Sequence, residues 1–395
     1  MWNSKKLPKS IYIHYPFCIH KCTYCDFLSF EKHDSFAQQY HNALCNEITS
    51  FSSLFTDSQD HQKIKTIYIG GGTPSIYPKD LFADMVKLID QKFDISNLEE
   101  FTIEANPHGL TEDRVKLWKD LGINRVSLGV QILNDQVLAE YNRFQTRSDV
   151  LHSIDIVSKH FDNITVDLIL GFSQISQKEW MANLQEVVTW PIKHISIYLL
   201  TIYENTQLFY KIKNKELEPK SDEELIDTFE KTIDFLKANG FLQYEISNFA
   251  KKGFESKHNL VYWDRESYVG LGLGAASFDG ESRSTNLKNL QKYLQLYKIP
   301  LDFRYKNEIP FQFYSFTEEL DEKKKKNEKM MLGLRKTSGV ELRDMVYFLS
   351  MDDQAVMLKK INFLKELGLI HQQGQKISLT FKGMMLEEEI ILTLM

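Results

Sequence analysis

Three of the four cysteines of this chain fall within eight positions. They are Cys18, Cys22 and Cys25 in the string Tyr15-Pro16-Phe17-Cys18-Ile19-His20-Lys21-Cys22-Thr23-Tyr24-Cys25-Asp26-Phe27. The spacing is C-x3-C-x2-C. Thiolates are the ligands of iron–sulfur clusters. Three of them on one loop can hold three irons of a [4Fe–4S] cubane and leave the fourth open. An open iron can chelate a small molecule through an amine and a carboxylate, which is what S-adenosylmethionine (SAM) offers. A structural zinc would instead want four ligands, usually as two separated pairs, and the sequence has no second pair. Cys45 lies in a helical pattern beside its apolar face, where a buried structural cysteine is a better reading than a fourth ligand.

Such a loop needs elements to position it. Short β-branched runs occur at 11–14, 65–69, 101–106, 125–131, 164–170 and 194–201. Helical patterns separate them: 35–55 puts Phe36, Tyr40, Ala43, Leu44, Ile48 and Phe51 on one face, and 80–92 and 111–121 follow the same period. Strand–helix alternation implies a parallel sheet of βα units. The fold expected is α/β, a partial TIM-like (β/α)6 barrel, although an open doubly wound sheet shares the pattern. A further helix is expected over 221–239, closed by Gly240, and then a loop-rich stretch over 241–286. The charge run 318–329 reads as a solvated helix start after a linker. Helices near 325–336, 341–349 and 353–367, followed by Ile377-Ser378-Leu379-Thr380-Phe381, suggest a small C-terminal winged-helix-like α+β domain. The expected division is a barrel over 1–240, an extension packing on it over 241–309, and the C-terminal domain over 310–395.

In a βα barrel, chemistry collects where strands end and loops begin. The first run leads straight into the cysteine loop. The second ends in Gly70-Gly71-Gly72-Thr73-Pro74-Ser75, whose glycines let backbone approach a ligand and expose N–H groups to it. The third ends at Glu104, placed to accept the hydroxyls of a ribose. The fourth ends at Gln131, with Arg143 beyond it as a bidentate clamp for a carboxylate. Asp167 and Tyr198 lie inside the fifth and sixth runs, and a polar group in an apolar strand needs a partner or a ligand.

The bulk properties exclude other classes. The chain has 395 residues, 43% hydrophobic and 26% charged, with a net charge of -6. No basic stripe marks a nucleic-acid binder, so no nucleic acid is expected. The clustered cysteines read as metal-directed and intracellular. The first residues lack the apolar core of a signal peptide, and no apolar run approaches the ~18 residues of a membrane span. A cytoplasmic location is expected.

Taken together, C-x3-C-x2-C with Gly-Gly-Gly-Thr-Pro at 70–74, Ile-Glu-Ala-Asn-Pro at 103–107, Ser-Leu-Gly-Val-Gln at 127–131 and Asp-Leu-Ile-Leu-Gly at 167–171 resembles the radical SAM enzymes related to oxygen-independent coproporphyrinogen III oxidase. The resemblance covers nearly the whole chain. Oxidases of this family carry another cysteine two positions after the third, and here Phe27 stands there. Tyr24-Cys25-Asp26-Phe27 is similar to the haem chaperone (HemW) branch, as are Tyr244–Ala250, His258-Asn259-Leu260-Val261-Tyr262-Trp263 and Leu332–Arg335. By position, the resemblance implies Cys18, Cys22 and Cys25 as cluster ligands. It implies Tyr12, Tyr24, Gly71, Gly72, Thr73, Glu104, Gln131, Arg143 and Asp167 as the SAM shell. It also implies His258 as an axial ligand to haem, against the alternative of a structural histidine. It implies haem or a porphyrin as cargo and a haem-accepting protein as partner, with a membrane-associated acceptor and a homodimer within its scope. A radical SAM oxidoreductase acting on a porphyrinogen is the rival reading. The chain departs from the family at Ile132-Leu133, at Gln145 in place of a histidine, at Ile202–Thr206 and at Gly272–Ser277, which bears on the surroundings of the second ligand.

Overall fold

The computed structural model describes residues 8–31, 34–55, 63–303, 311–346 and 350–395. Six strands correspond to the six apolar runs: β1 (Ser10–Tyr15), β2 (Thr66–Gly71), β3 (Glu100–Ala105), β4 (Arg125–Gln131), β5 (Ile164–Leu170) and β6 (His194–Leu199). Each pairs in parallel with its neighbour in chain order. A doubly wound sheet reverses its strand order at a switch point. This one does not, so it is a singly wound, barrel-type sheet, and right-handed crossovers place the helices on one face.

The two faces follow the period-2 alternation of each strand. Ile11, Ile13, Ile67, Ile69, Ile103, Val126, Leu128, Val166, Ile195 and Ile197 are buried in one core with Leu44, Met85, Trp118, Val150 and Leu184 of the surrounding helices. The opposite parity is polar: Tyr12, His14, Tyr68, Thr102, Glu104, Ser127, Asp167 and Tyr198. Barrel interiors are ordinarily filled by branched apolar side chains. A polar interior therefore marks the end where these residues converge as the working one.

The stretch 241–286 is not loop-rich. It extends the same sheet at both edges, and with Tyr314–Glu319 the sheet has twelve strands among the described residues. Asn248–Ala250 pairs antiparallel with β6, and Tyr268–Leu271 pairs in parallel with β1. Ala276–Phe278, Ser282–Asn286 and Tyr314–Glu319 then continue as an antiparallel meander. These strands are short and glycine-punctuated, so they resemble turns in sequence. Gly270 is there for close packing, since a Cβ on it would lie 2.1 Å from the Ala276 carbonyl oxygen.

The strand Tyr314–Glu319 carries the large sheet past the expected boundary at 310, a residue outside those described. The charge run is thus a strand end followed by the helix Glu322–Arg335, capped by Asp321. Of the helix expected over 341–349, Leu342–Val346 is observed, and 347–349 fall outside the described residues. Met351–Glu366 follows, with a three-stranded antiparallel sheet of Val340–Glu341, Lys376–Leu379 and Ile370–Gln373. These elements share a second core that includes Met330, Leu334, Met345, Ile361, Leu364 and Ile377. Glu328 lies between Arg265 and Arg283 and ties this domain to the barrel extension. Among the described residues, no helix is long and apolar enough to cross a membrane.

Gly339 sits at φ +68°, and a Cβ there would lie 2.0 Å from the Ile377 carbonyl oxygen. A side chain at that position is both strained and clashing. Gly339→Ala is expected to destabilise the C-terminal domain by about 1–3 kcal/mol, seen in thermal unfolding as an earlier transition. An unaltered melt would show that the turn tolerates a side chain.

Candidate functional site

The cysteine loop is seated on the glycine run. Gly72 N–H donates to the Tyr15 carbonyl at 2.7 Å and Thr73 N–H to that of Phe17 at 2.9 Å. A Cβ on Gly72 would lie 2.7 Å from Phe17 O and 3.0 Å from Cys18 Sγ. On Gly71, at φ +117°, it would meet the His14 ring at 2.7 Å, and on Gly70 the Glu104 carboxylate at 3.0 Å. The glycines thus admit the loop and two side chains. This corrects the expectation that their N–H groups face a ligand. Gly71 N–H donates to Glu104 Oε2 at 3.2 Å, and those of Gly72 and Thr73 hold the loop.

A cavity of about 340 Å³ opens at the C-terminal ends of the strands. Cys18, Cys22, Tyr24, Cys25, Gly71, Gly72, Thr73, Glu104, Gln131, Arg143 and Asp167 all line it. Tyr12 does not. It lies deeper, stacked on Tyr68, with its hydroxyl 3.1 Å from His14 Nδ1. Tyr68, Asn106 and Ser127 line the cavity as well and were not singled out from sequence. The parity of β2 and β4 carried that signal.

One hydrogen-bond chain links the separate motifs. Gln145, where the family has histidine, is buried; it accepts from Arg143 Nε at 2.9 Å and donates to Val130 O at 2.6 Å. Arg143 Nη2 reaches Gly129 O at 2.5 Å and Asn106 Oδ1 at 3.0 Å, and its Nη1 lies 3.7 Å from Cys22 Sγ. Asn106 Nδ2 donates to Thr73 Oγ1 at 3.4 Å, and Thr73 donates to Cys18 Sγ at 3.4 Å. Arg143 is therefore held on Nε and Nη2, and only Nη1 turns to the cysteines. This differs from the free bidentate clamp expected. Gln131 occupies the left-handed region, φ 65°, at a register shift between β4 and β5. A residue held there by its surroundings is a mark of functional sites.

Glu104 accepts from Tyr68 Oη at 2.7 Å, and burial pushes its carboxyl up to about 7. Burial likewise raises Asp167, which accepts from Ser127 at 2.8 Å. It raises the Cys18 thiol and pushes Cys25 up to about 11. Bare thiolates are disfavoured in such a place, so the site suits cysteines whose charge is neutralised by bound iron. Among the described residues, no three His, Cys, Asp or Glu side chains converge on a point for one metal ion. A cubane does not ask for that, since each cysteine meets a separate iron. Cys45 is remote, half-buried in the helix Ala37–Ser52 with Sγ 3.6 Å from the His41 ring.

His258 does not face the cavity. It is 1% exposed in the helix Lys257–Trp263, stacked on Tyr68. Its Nδ1 lies 2.7 Å from Thr66 Oγ1 and its Nε2 2.8 Å from Tyr262 Oη. Both nitrogens are spoken for, and desolvation lowers its pKa to about 3. The geometry is that of a histidine fastening a helix beneath the barrel, the structural alternative to an axial haem ligand.

Residues 12–187 match the radical SAM superfamily, and residues 320–386 match the HemN C-terminal domain. The fold matches the solved structure of coproporphyrinogen III oxidase (HemN) from Escherichia coli, a radical SAM enzyme, with a TM-score of 0.82 and 22% identity over 98% of this chain and 90% of that one. The barrel, cysteine loop and second domain thus define a radical SAM protein of the HemN architecture. The sequence is also 33% identical to haem chaperone HemW of Lactococcus lactis over 95% of this chain and 94% of that protein. Against HemW of Bacillus subtilis it is 33% identical, over 97% and 98%. The chain belongs to the HemW haem chaperone family.

Two outcomes follow from this geometry. Because burial opposes the charge on Glu104, its carboxylate forms only as pH rises through about 7. SAM affinity of the cluster-loaded protein, measured by equilibrium dialysis, is expected to rise over that range and level off above it, and Glu104→Gln to flatten the profile. A variant that keeps the wild-type profile would remove Glu104 from SAM binding. His258→Ala is expected to lower thermal stability by about 1–3 kcal/mol while leaving the haem Soret band in place, and loss of that band would restore it as a ligand.

Proposed function

We propose that this chain holds a [4Fe–4S] cluster through Cys18, Cys22 and Cys25, binds SAM at the open iron, and carries haem to an acceptor protein. The shell for SAM is Tyr24, Gly71, Gly72, Thr73, Glu104, Gln131, Arg143 and Asp167, with Tyr12 behind it. A bound cluster supplies one-electron chemistry toward SAM. The chain's own residues donate to the cysteine sulfurs through Thr73 and Arg143 and offer the Glu104 carboxylate. The single observation that favours haem carriage over porphyrinogen oxidation is Phe27, 64% exposed on the cavity lining where the oxidases have a further cysteine. The relatives named haem chaperone HemW support the same reading. The protein would act in the cytoplasm, where a membrane-bound acceptor could take the haem, and self-association into a dimer belongs to the same proposal.

Anaerobic reconstitution is expected to load a cluster in wild type and to fail in each Cys→Ala variant. Titration with haem should then give a saturable Soret band. With dithionite and a porphyrinogen, no vinyl product should form. Its appearance together with 5′-deoxyadenosine would make the protein an oxidase, and absence of a haem complex would end the chaperone reading.

A further inference from the structure

His258 is buried away from the cavity with both ring nitrogens in contact with hydroxyls, and another histidine lines the cavity itself. We infer that His20 is the axial ligand to haem, which lies across the mouth of the cavity. This rests on the haem-carrier reading above.

The histidines of the described residues separate by position. His14, His41, His194 and His258 are buried. His108 and His160 face Asp149 and Glu112 on the helices outside the barrel. His152 is exposed on the outer helix Arg147–Ser158, and His371 lies in the sheet of the second domain. His20 alone among them both lines the cavity and reaches solvent, its side chain 41% exposed. Its Nδ1 lies 3.8 Å from Glu31 Oε1. No hydrogen bond occupies Nε2 among the described residues.

The surroundings suit a flat apolar macrocycle. Ile19, Phe27, Phe144, Leu199 and Tyr203 are all exposed. Phe27, Leu199 and Tyr203 line the opening, and the Phe144 ring stands 4.6 Å from that of His20. Exposed apolar residues gathered in one place mark a binding surface. Coordination here is donation of the Nε2 lone pair to the iron, with no change of oxidation state and no bond broken.

The test uses the anaerobically reconstituted full chain titrated with haem. His20→Ala is expected to weaken haem binding at least about tenfold and shift the Soret band, and added imidazole to restore the band position. Iron content and SAM dialysis report whether the loop is intact. Phe144→Asp, outside the cysteine loop, should weaken haem independently, and His152→Ala should bind as wild type does. Wild-type affinity and spectrum in both His20→Ala and Phe144→Asp would overturn the assignment while leaving haem carriage standing. Failure of wild type itself to bind haem would overturn the carrier reading beneath it.

Discussion

The structure depends on the close approach of two backbones, the cysteine loop and the end of β2. The Gly72 and Thr73 N–H groups hold the Tyr15 and Phe17 carbonyls, and there is no room for a side chain on Gly72 between Phe17 O and Cys18 Sγ. Three thiols can be held at the mouth of the barrel only because their loop is anchored by main chain, which cannot swing away as a side chain can. Everything else at the site is arranged around that seam. Thr73 reaches Cys18 from one side, and Arg143 reaches Cys22 from the other.

The polar barrel interior is the second half of the design. Burying carboxylates costs free energy unless they are bonded, and the strands supply those bonds laterally. Tyr68 of β2 serves Glu104 of β3, and Ser127 of β4 serves Asp167 of β5. Each partner comes from the neighbouring strand, so the sheet register itself sets the spacing of the charges. The carboxyl of Glu104 remains raised by burial despite its two donors. On the proposed SAM site, such a group is placed to meet a hydroxyl-rich ligand.

Much of this was legible in residue order, and the reasons differ from part to part. The six strands announce themselves because they are buried on the helix side by β-branched residues. The cysteines and the glycine run are local strings whose chemistry survives without coordinates. Gln145 was visible only as a departure from the family, yet it takes up the work of holding Arg143. What could not be read was set by tertiary contact. The glycine N–H groups look free until Tyr15 and Phe17 are folded against them. The strands between 241 and 286 are too short and glycine-broken to show a period. His258 looks like a ligand in its string, but Thr66, Tyr68 and Tyr262 come to it from elements distant in sequence or along its own helix.

His20 carries this reasoning one step further. It stands between Cys18 and Cys22, so whatever fixes the two cysteines also fixes its backbone. A loop clamped at three sulfurs loses much of its conformational freedom before any cargo arrives, and a ligand that meets an ordered site does not have to order it. On the proposed haem site, the cluster therefore preorganises the imidazole and the apolar residues beside it. Phe27 belongs to the same logic. A cysteine at that position would present a further thiol at the rim, whereas the phenyl ring adds exposed apolar surface to the cavity lining. On the proposed haem site, phenylalanine at the edge of the loop thus gives the rim apolar surface in place of a thiol, without touching the three cysteines beneath it.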